Sequence, residues 1–413
     1  MNYNVNHSSK IINANIELAS SKSISNRVLI IQALAEKKFQ IERLSESDDT
    51  QVMLSGLSVQ NSITDIGHAG TAMRFLTAYY ATQAGSHILT GSERMKERPI
   101  KILVNALRRL GAHIEYLEKD GFAPLLIKGK PLSSSPLEID GSVSSQYITA
   151  LLLISPYLPN GLKIKLKNRI ISQDYISMTL ELMKYFCIEY DWEGLDIHVL
   201  PGKYNSSGKI ENFPVEADWS GASYWYSIAA LANEATIVLN GLFKESLQGD
   251  SAIQCIFNEF GIQTIFQNER TILEKKSPSP LSTFEYDFTS QPDLAQTVIV
   301  ACGMLRRPFV CKGLHSLRIK ETDRIKALQN ELDKLGINIM EREEGTLIWD
   351  GIQKELHPDI EIKTYDDHRM AMAFAPCSLK VPDIKILEPQ VVSKSYPDFW
   401  EDLRIAGFEL TDC

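Results

Sequence analysis

The chain has 413 residues, 44% hydrophobic and 23% charged, with a net charge of −9. This composition belongs to a folded globular protein long enough for two or more domains, and its acidity argues against nucleic acid as the main partner. The longest apolar runs, ITALLLISPYL and TVIVACGML, are far too short to span a bilayer, so no membrane role is expected. The first ten residues, MNYNVNHSSK, have no apolar signal core, and the expected location is the cytoplasm. Six scattered cysteines with no CxxC pair read as reduced thiols, and no His/Cys cluster has the spacing of a metal site.

In chain order, the first chemical signal is SSKSISNRVLIIQALA, residues 20–35. Ile24, Val28, Ile31 and Leu34 make a helical stripe, with Ser20 or Ser21 as N-cap. Lys22, Ser23 and Arg27 sit at its start, where positive charge opposes the helix dipole and nothing acidic in the stretch offsets it. An anion bound there would offset it, since the exposed N–H groups and the dipole already favour one. GHAGTAMRFLTAYY (67–80), GSVSSQYITALLL (141–153) and DWSGASYWYSIAAL (218–231) are further Gly- or Ser-rich helix starts. RMKERP (94–99) adds cations. The polar stretch GKYNSSGKIENFP (202–214) is the best boundary candidate, and KKSPSPLST (275–283) reads as a surface loop. LRIKETDRIKALQNELDKLG (317–336) predicts a helix capped by Thr322, with Lys320, Glu321, Asp323 and Arg324 crowding its N-terminus. YDDHRMAMAFA (365–375) predicts a helix with an acid cap followed by His368 and Arg369, and SKSYPDFW (393–400) brings Lys394. Several such starts in one chain point to a ligand with more than one anionic group.

A period underlies these elements. LRRLGAHI, MKYFCIEY, FNEFGIQT and LDKLGINI each read as the last turn of an amphipathic helix, a small residue, and an alternating strand. The small residues, at 111, 187, 261 and 336, are separated by 76, 74 and 75 residues, and Gly407 follows at 71. The spacing predicts five to six αβ modules, each holding more than one helix and strand.

Taken together, SKSISNR, GHAGTAMR, RMKERP, SSQYITALL, SQDYISMTLELM, VEADWSGASYW, PDLAQT, KETDRI, DDHRMAMAF and SKSYPDFW resemble the 5-enolpyruvylshikimate-3-phosphate synthase family. The resemblance implies an α/β chain in the two-domain enolpyruvyl transferase fold, each domain holding three βαβαββ-type repeats as an inside-out α/β barrel. It puts residues 1–20 plus 216–413 in one domain and 21–215 in the other, with the active site in the cleft between them. The implied reaction moves the enolpyruvyl group of phosphoenolpyruvate to the 5-hydroxyl of shikimate 3-phosphate through a tetrahedral intermediate, with no cofactor and no metal. The implied catalytic residues are Lys22, Asp293 and Glu321. Shikimate 3-phosphate falls to Lys22, Ser23, Arg27, Ser144, Ser145, Gln146, Ser172, Tyr175, Asp293, Ser316 and Lys320. Phosphoenolpyruvate falls to Lys22, Gly70, Arg94, Gln146, Arg324, His368, Arg369 and Lys394. The two substrates are the expected partners, and a monomer is the expected state.

The chain departs from the family pattern at Ala19-Ser20, His68, Phe75 and Ser316, which bear on efficiency and glyphosate sensitivity more than on the reaction type. A UDP-N-acetylglucosamine enolpyruvyl transferase would carry a reactive cysteine in the arginine-rich loop, and SERMKERP has none. A non-catalytic binding relic is disfavoured by the retention of Lys22, Asp293, Glu321, Arg324 and Lys394.

Overall fold

The structure, a computed structural model, describes residues 2–58, 63–142, 144–268, 270–276, 282–357 and 359–413. The expected loop at 275–283 lies partly outside them. The chain divides into two compact units, Met1–Ser20 with Glu216–Cys413, and Ser21–Val215.

The helix–glycine–strand joints are a repeated local structure. Gly111, Cys187, Gly261, Gly336 and Gly407 all have φ between +69° and +98°. At four of them the same pair of hydrogen bonds closes the helix. The N–H of Gly111 donates to Arg108 O and that of Ala112 to Leu107 O, and the pattern recurs after Cys187, Gly336 and Gly407. This is the left-handed Schellman cap, which glycine adopts without a Cβ penalty.

In the unit Ser21–Val215 the helices Lys22–Leu34, Gly70–Thr82 and Ser145–Ile154 pack on one another inside. Nine of the ten residues in Ser145–Ile154 are buried. Such all-round apolarity marks a core helix rather than an amphipathic surface one. The sheets lie outside. Strand Leu162–Lys167 buries Leu162, Ile164 and Leu166 and exposes Lys163, Lys165 and Lys167, so one face meets the helices and the other meets water. It pairs parallel with Leu137–Asp140 and antiparallel with Asp196–Val199, which pairs antiparallel with Tyr190–Glu193. Chain order is therefore strand, helix Ser145–Ile154, strand, helix Gln173–Tyr185, hairpin: a βαβαββ module. Ile63–Asp65, Gly85–Thr90, Leu125–Gly129 and His113–Tyr116 form a second sheet of the same order. Among the described residues the third has two parallel strands, Gln40–Glu42 and Asn212–Pro214. That last strand lies at the end of the polar stretch 202–214 taken as the boundary candidate.

The other unit repeats the plan. Helices Trp219–Leu231, Ala295–Met304 and His368–Phe374 are buried at every residue and touch one another. Among the described residues three four-stranded sheets surround them. Two are assembled from distant sequence. Ile11–Glu17 runs parallel to Glu234–Asn240 over seven residue pairs, and Asn2–Asn6 sits between Ile384–Leu387 and Glu409–Asp412. Each unit has its own continuous hydrophobic core.

Candidate active site

The functional side chains sit at the starts of the buried helices. In the unit Ser21–Val215, Ser21 caps the first helix by accepting from Ile24 N at 3.4 Å. Lys22 does have an acid: its Nζ lies 2.9 Å from the buried carboxylate of Asp49, on helix Asp48–Ser58. Arg27 is different. It is 3% exposed, and its guanidinium donates to Thr179 Oγ1 at 2.8 Å, Ser23 O at 2.7 Å and Tyr175 O at 3.3 Å. The Phe75 and Tyr175 rings flank it at 5.6 and 5.8 Å. Among the described residues no carboxylate contacts it. Burial lowers its pKa to about 10, so it stays charged at neutral pH with only neutral partners.

Gly70 opens the helix Gly70–Thr82 behind Ala69, whose side chain makes no cap bond. A Cβ on Gly70 would stand 2.9 Å from Arg98 Nη1 and 3.2 Å from Arg74 Nη1, so glycine lets two guanidinium groups close on a helix N-terminus. Arg94 lies nearby in sequence, on the short helix Glu93–Lys96. Its guanidinium pairs with Glu97 at 3.0 Å, and its side chain is 42% exposed. The two arginines share the motif RMKERP, and only the fold distinguishes them. His68 is exposed just before the helix, its Nδ1 3.1 Å from Ser92 Oγ. Ser144 caps the helix Ser145–Ile154, accepting from Gln146 N at 3.4 Å, and Ser145 is buried. Gln146 Nε2 donates to Thr71 Oγ1 at 3.1 Å and so ties two helix starts together. Ser172 precedes the helix Gln173–Tyr185 in the left-handed region (φ 53°), with no side-chain cap bond. Holding serine there is a local strain.

In the other unit, three helix starts meet in one ionic network. Arg324 is 2% exposed and holds three carboxylates. Nε and Nη2 donate to Asp367 at 2.6 and 3.3 Å, Nη1 to Asp293 at 3.2 Å, and Nη2 to Glu321 at 3.0 Å. Arg369 Nη2 lies 3.0 Å from Asp293 Oδ2, Nη1 donates to Asp293 O at 3.1 Å, and Nη2 to Ser220 Oγ at 3.4 Å. Lys320 Nζ lies 3.6 Å from Asp293, and Lys394 Nζ 3.0 Å from Glu321. Burial alone would raise the Asp293 pKa, but Arg369, Lys320 and Arg324 outweigh it and hold the carboxyl well below the usual range. Burial pushes the Lys320 ammonium down. Buried His368 lies beside Asp367, Nδ1 to Oδ1 3.7 Å. Half-buried Ser316 lies in the turn His315–Ile319, four residues before Lys320.

Thr322 is not the cap of helix Arg324–Lys334. Asp323 is, its carboxylate accepting from Lys326 N at 3.2 Å, as a carboxylate at an N-terminus should. Sequence reasoning missed Asp49, Arg98 and Asp250. Asp250, in the turn Gly249–Ala252, accepts a hydrogen bond from Ser220 Oγ. No spacing links LSESDD or LQGD to a distant helix start, so only the fold brings them in.

The chain has known relatives. The model of the family described as EPSP synthase (3-phosphoshikimate 1-carboxyvinyltransferase) matches residues 7–59 and 57–403. A 3-phosphoshikimate 1-carboxyvinyltransferase of Bacteroides fragilis is 52% identical over 398 residues, covering 96% of each chain. One from a Sulfurovum species is 35% identical over 421 residues, covering 96% of this chain and 97% of that one. The fold is that of an EPSP synthase structure from Acinetobacter baumannii, with a TM-score of 0.79 at 21% identity and full coverage of both chains. With a family match over most of its length and relatives of this identity, the chain belongs to the EPSP synthase family.

Proposed function

We propose that this chain transfers the enolpyruvyl group of phosphoenolpyruvate to the 5-hydroxyl of shikimate 3-phosphate and releases phosphate. The observation that carries the acceptor assignment is Arg27, a buried guanidinium whose hydrogen bonds run to Thr179 Oγ1, Ser23 O and Tyr175 O, all neutral. A buried charge without a counterion is costly, and a planar carboxylate is the ligand that suits a guanidinium fork. Arg27 with Ser23 therefore takes the shikimate carboxylate, and Ser144, Ser145, Ser172 and Lys320 take the 3-phosphate. Gln146, Tyr175 and Ser316 line the ring. Gly70, Arg324, His368, Arg369 and Lys394 serve phosphoenolpyruvate with Lys22 and Gln146. Arg94 serves phosphoenolpyruvate with them, and Arg98, the guanidinium packed at Gly70, is added to the set.

In the first step the 5-oxygen bonds to C2 of phosphoenolpyruvate, the hydroxyl proton leaves and C3 gains a proton. In the second, C3 loses a proton and the C2–O bond to phosphate breaks. Glu321 handles the C3 proton. Asp293, held ionised by its cations, accepts the hydrogen bond of the attacking hydroxyl. Lys22 neutralises charge that develops beside the reacting oxygens. Fixing two polyanions in register supplies much of the rate. We take the working unit to be the single chain and the compartment to be the cytoplasm. Six free cysteines suit a reducing compartment, and no described helix is long and apolar enough to cross a membrane.

The test measures phosphate release from phosphoenolpyruvate with shikimate 3-phosphate, and in parallel with UDP-N-acetylglucosamine. Release only with the first acceptor supports the reading, and release only with the second sinks it. In the same assay Arg27→Ala should weaken shikimate 3-phosphate about ten- to a hundredfold and phosphoenolpyruvate much less. The reverse order would remove Arg27 from the carboxylate.

A further inference from the structure

Asp250 is 4% exposed and stands behind the ionic network rather than in it. Its carboxylate accepts a hydrogen bond from Ser220 Oγ, and the same hydroxyl accepts from Arg369 Nη2 at 3.4 Å. Arg369 in turn pairs with Asp293 at 3.0 Å. A serine hydroxyl has one proton and two lone pairs. With its proton committed to Asp250, it can only present lone pairs to the guanidinium. Without Asp250 the hydroxyl is free to rotate and turn its proton toward the cation. The groups facing Asp250 are Asp293, Arg369, Ser220 and Asp218. Burial and then the Asp293 charge push its pKa up to about 7, against the pull of Arg369. A carboxylate kept in so unfavourable a place is worth explaining by what it holds.

We propose that Asp250 is a positioning residue for the reaction: through Ser220 it fixes the plane of the Arg369 guanidinium that receives phosphoenolpyruvate. This rests on the reading of Arg369 as a phosphoenolpyruvate ligand. Asp250 touches no substrate, and its effect should appear in the KM for phosphoenolpyruvate, with the KM for shikimate 3-phosphate little changed.

The experiment is steady-state kinetics on Asp250→Ala, Ser220→Ala, the double variant and Asp250→Asn, varying each substrate in turn. Asp250→Ala and Ser220→Ala should each raise the phosphoenolpyruvate KM about tenfold, the size expected for a hydrogen bond to a charged group. The double variant should be no worse than the poorer single one, because both cut the same chain. Asp250→Asn, which keeps an acceptor for Ser220, should recover most of the loss. Additive effects, equal shifts in both substrates, or an Asp250→Asn variant as impaired as Asp250→Ala would each overturn the proposal. If Asp250→Ala does not fold, Ser220→Ala with and without Asp250→Asn carries the same comparison: no added effect supports the chain, and an added effect breaks it. A wild-type enzyme silent with both substrates would sink the functional reading itself, whereas active wild type with unmoved variants sinks only the role of Asp250.

Discussion

Glu321 is held from two sides, by Arg324 Nη2 and Lys394 Nζ, each at 3.0 Å. That grip fixes where its oxygens point, which is what a proton carrier to one carbon requires. Glu321→Ala should lower kcat by about a thousandfold while shikimate 3-phosphate still binds in a titration. Near-normal turnover would remove Glu321 from the proton transfers. Arg324 shows how a buried guanidinium holds the cluster together, since it engages Asp367, Asp293 and Glu321 and so gives each of them a counter-charge. The residues of this network were legible in the sequence because KETDR and DDHR carry their charges side by side. The second tier was not. Asp49 and Asp250 are acids in ordinary polar stretches, and Arg98 stands out only through its approach to Gly70.

The joint between helix and strand is where sequence and fold agree best, because a left-handed cap demands a residue type that can be read directly. Cys187 breaks the rule with φ +72° at a position where the other copies have glycine. A non-glycine residue pays roughly 1–2 kcal/mol in that conformation, and glycine loses about 0.5–1 kcal/mol of backbone entropy. Cys187→Gly should therefore stabilise the protein by about 0.5–1 kcal/mol, read as a higher denaturant midpoint at unchanged slope. A lower midpoint would show that the thiol packs better than the backbone suffers. Another element carries a pH dependence. On helix Phe399–Ile405, Asp402 accepts from Tyr396 Oη at 2.6 Å, and burial pushes its pKa up to about 6. The folded pKa lies above the unfolded one, so this group's stabilisation is full below about pH 4 and is lost as pH rises through 6. Relative to Asp402→Asn, wild type should lose about 1–2 kcal/mol across that interval, the full shift being reduced by solvent screening. A flat difference between their unfolding curves would mean that Asp402 titrates alike in both states. Strands built from neighbouring modules could be inferred from the period. The pairing of Ile11–Glu17 with Glu234–Asn240 could not, since no local signal encodes a partner more than two hundred residues away.

At the scale of the whole molecule, each unit has a closed core of three buried helices under its own sheets. A fragment spanning 21–215 should therefore fold alone, with a cooperative thermal transition and helical far-ultraviolet signal; a fragment without such a transition would show that its core depends on the rest of the chain. The complementary piece needs only a short bridge, because Ser20 pairs with Ala217 across the junction. The same strand order has a consequence during synthesis. Ile11–Glu17 leaves the ribosome early, but its parallel partner Glu234–Asn240 is more than two hundred residues behind. At the usual rates of translation that is a wait on the order of ten to forty seconds. For that time the first strands are unpaired edges while the inserted unit completes itself. The protein is thus made in an order unlike its linear one: the middle is finished first, and the earliest residues are among the last to find their places.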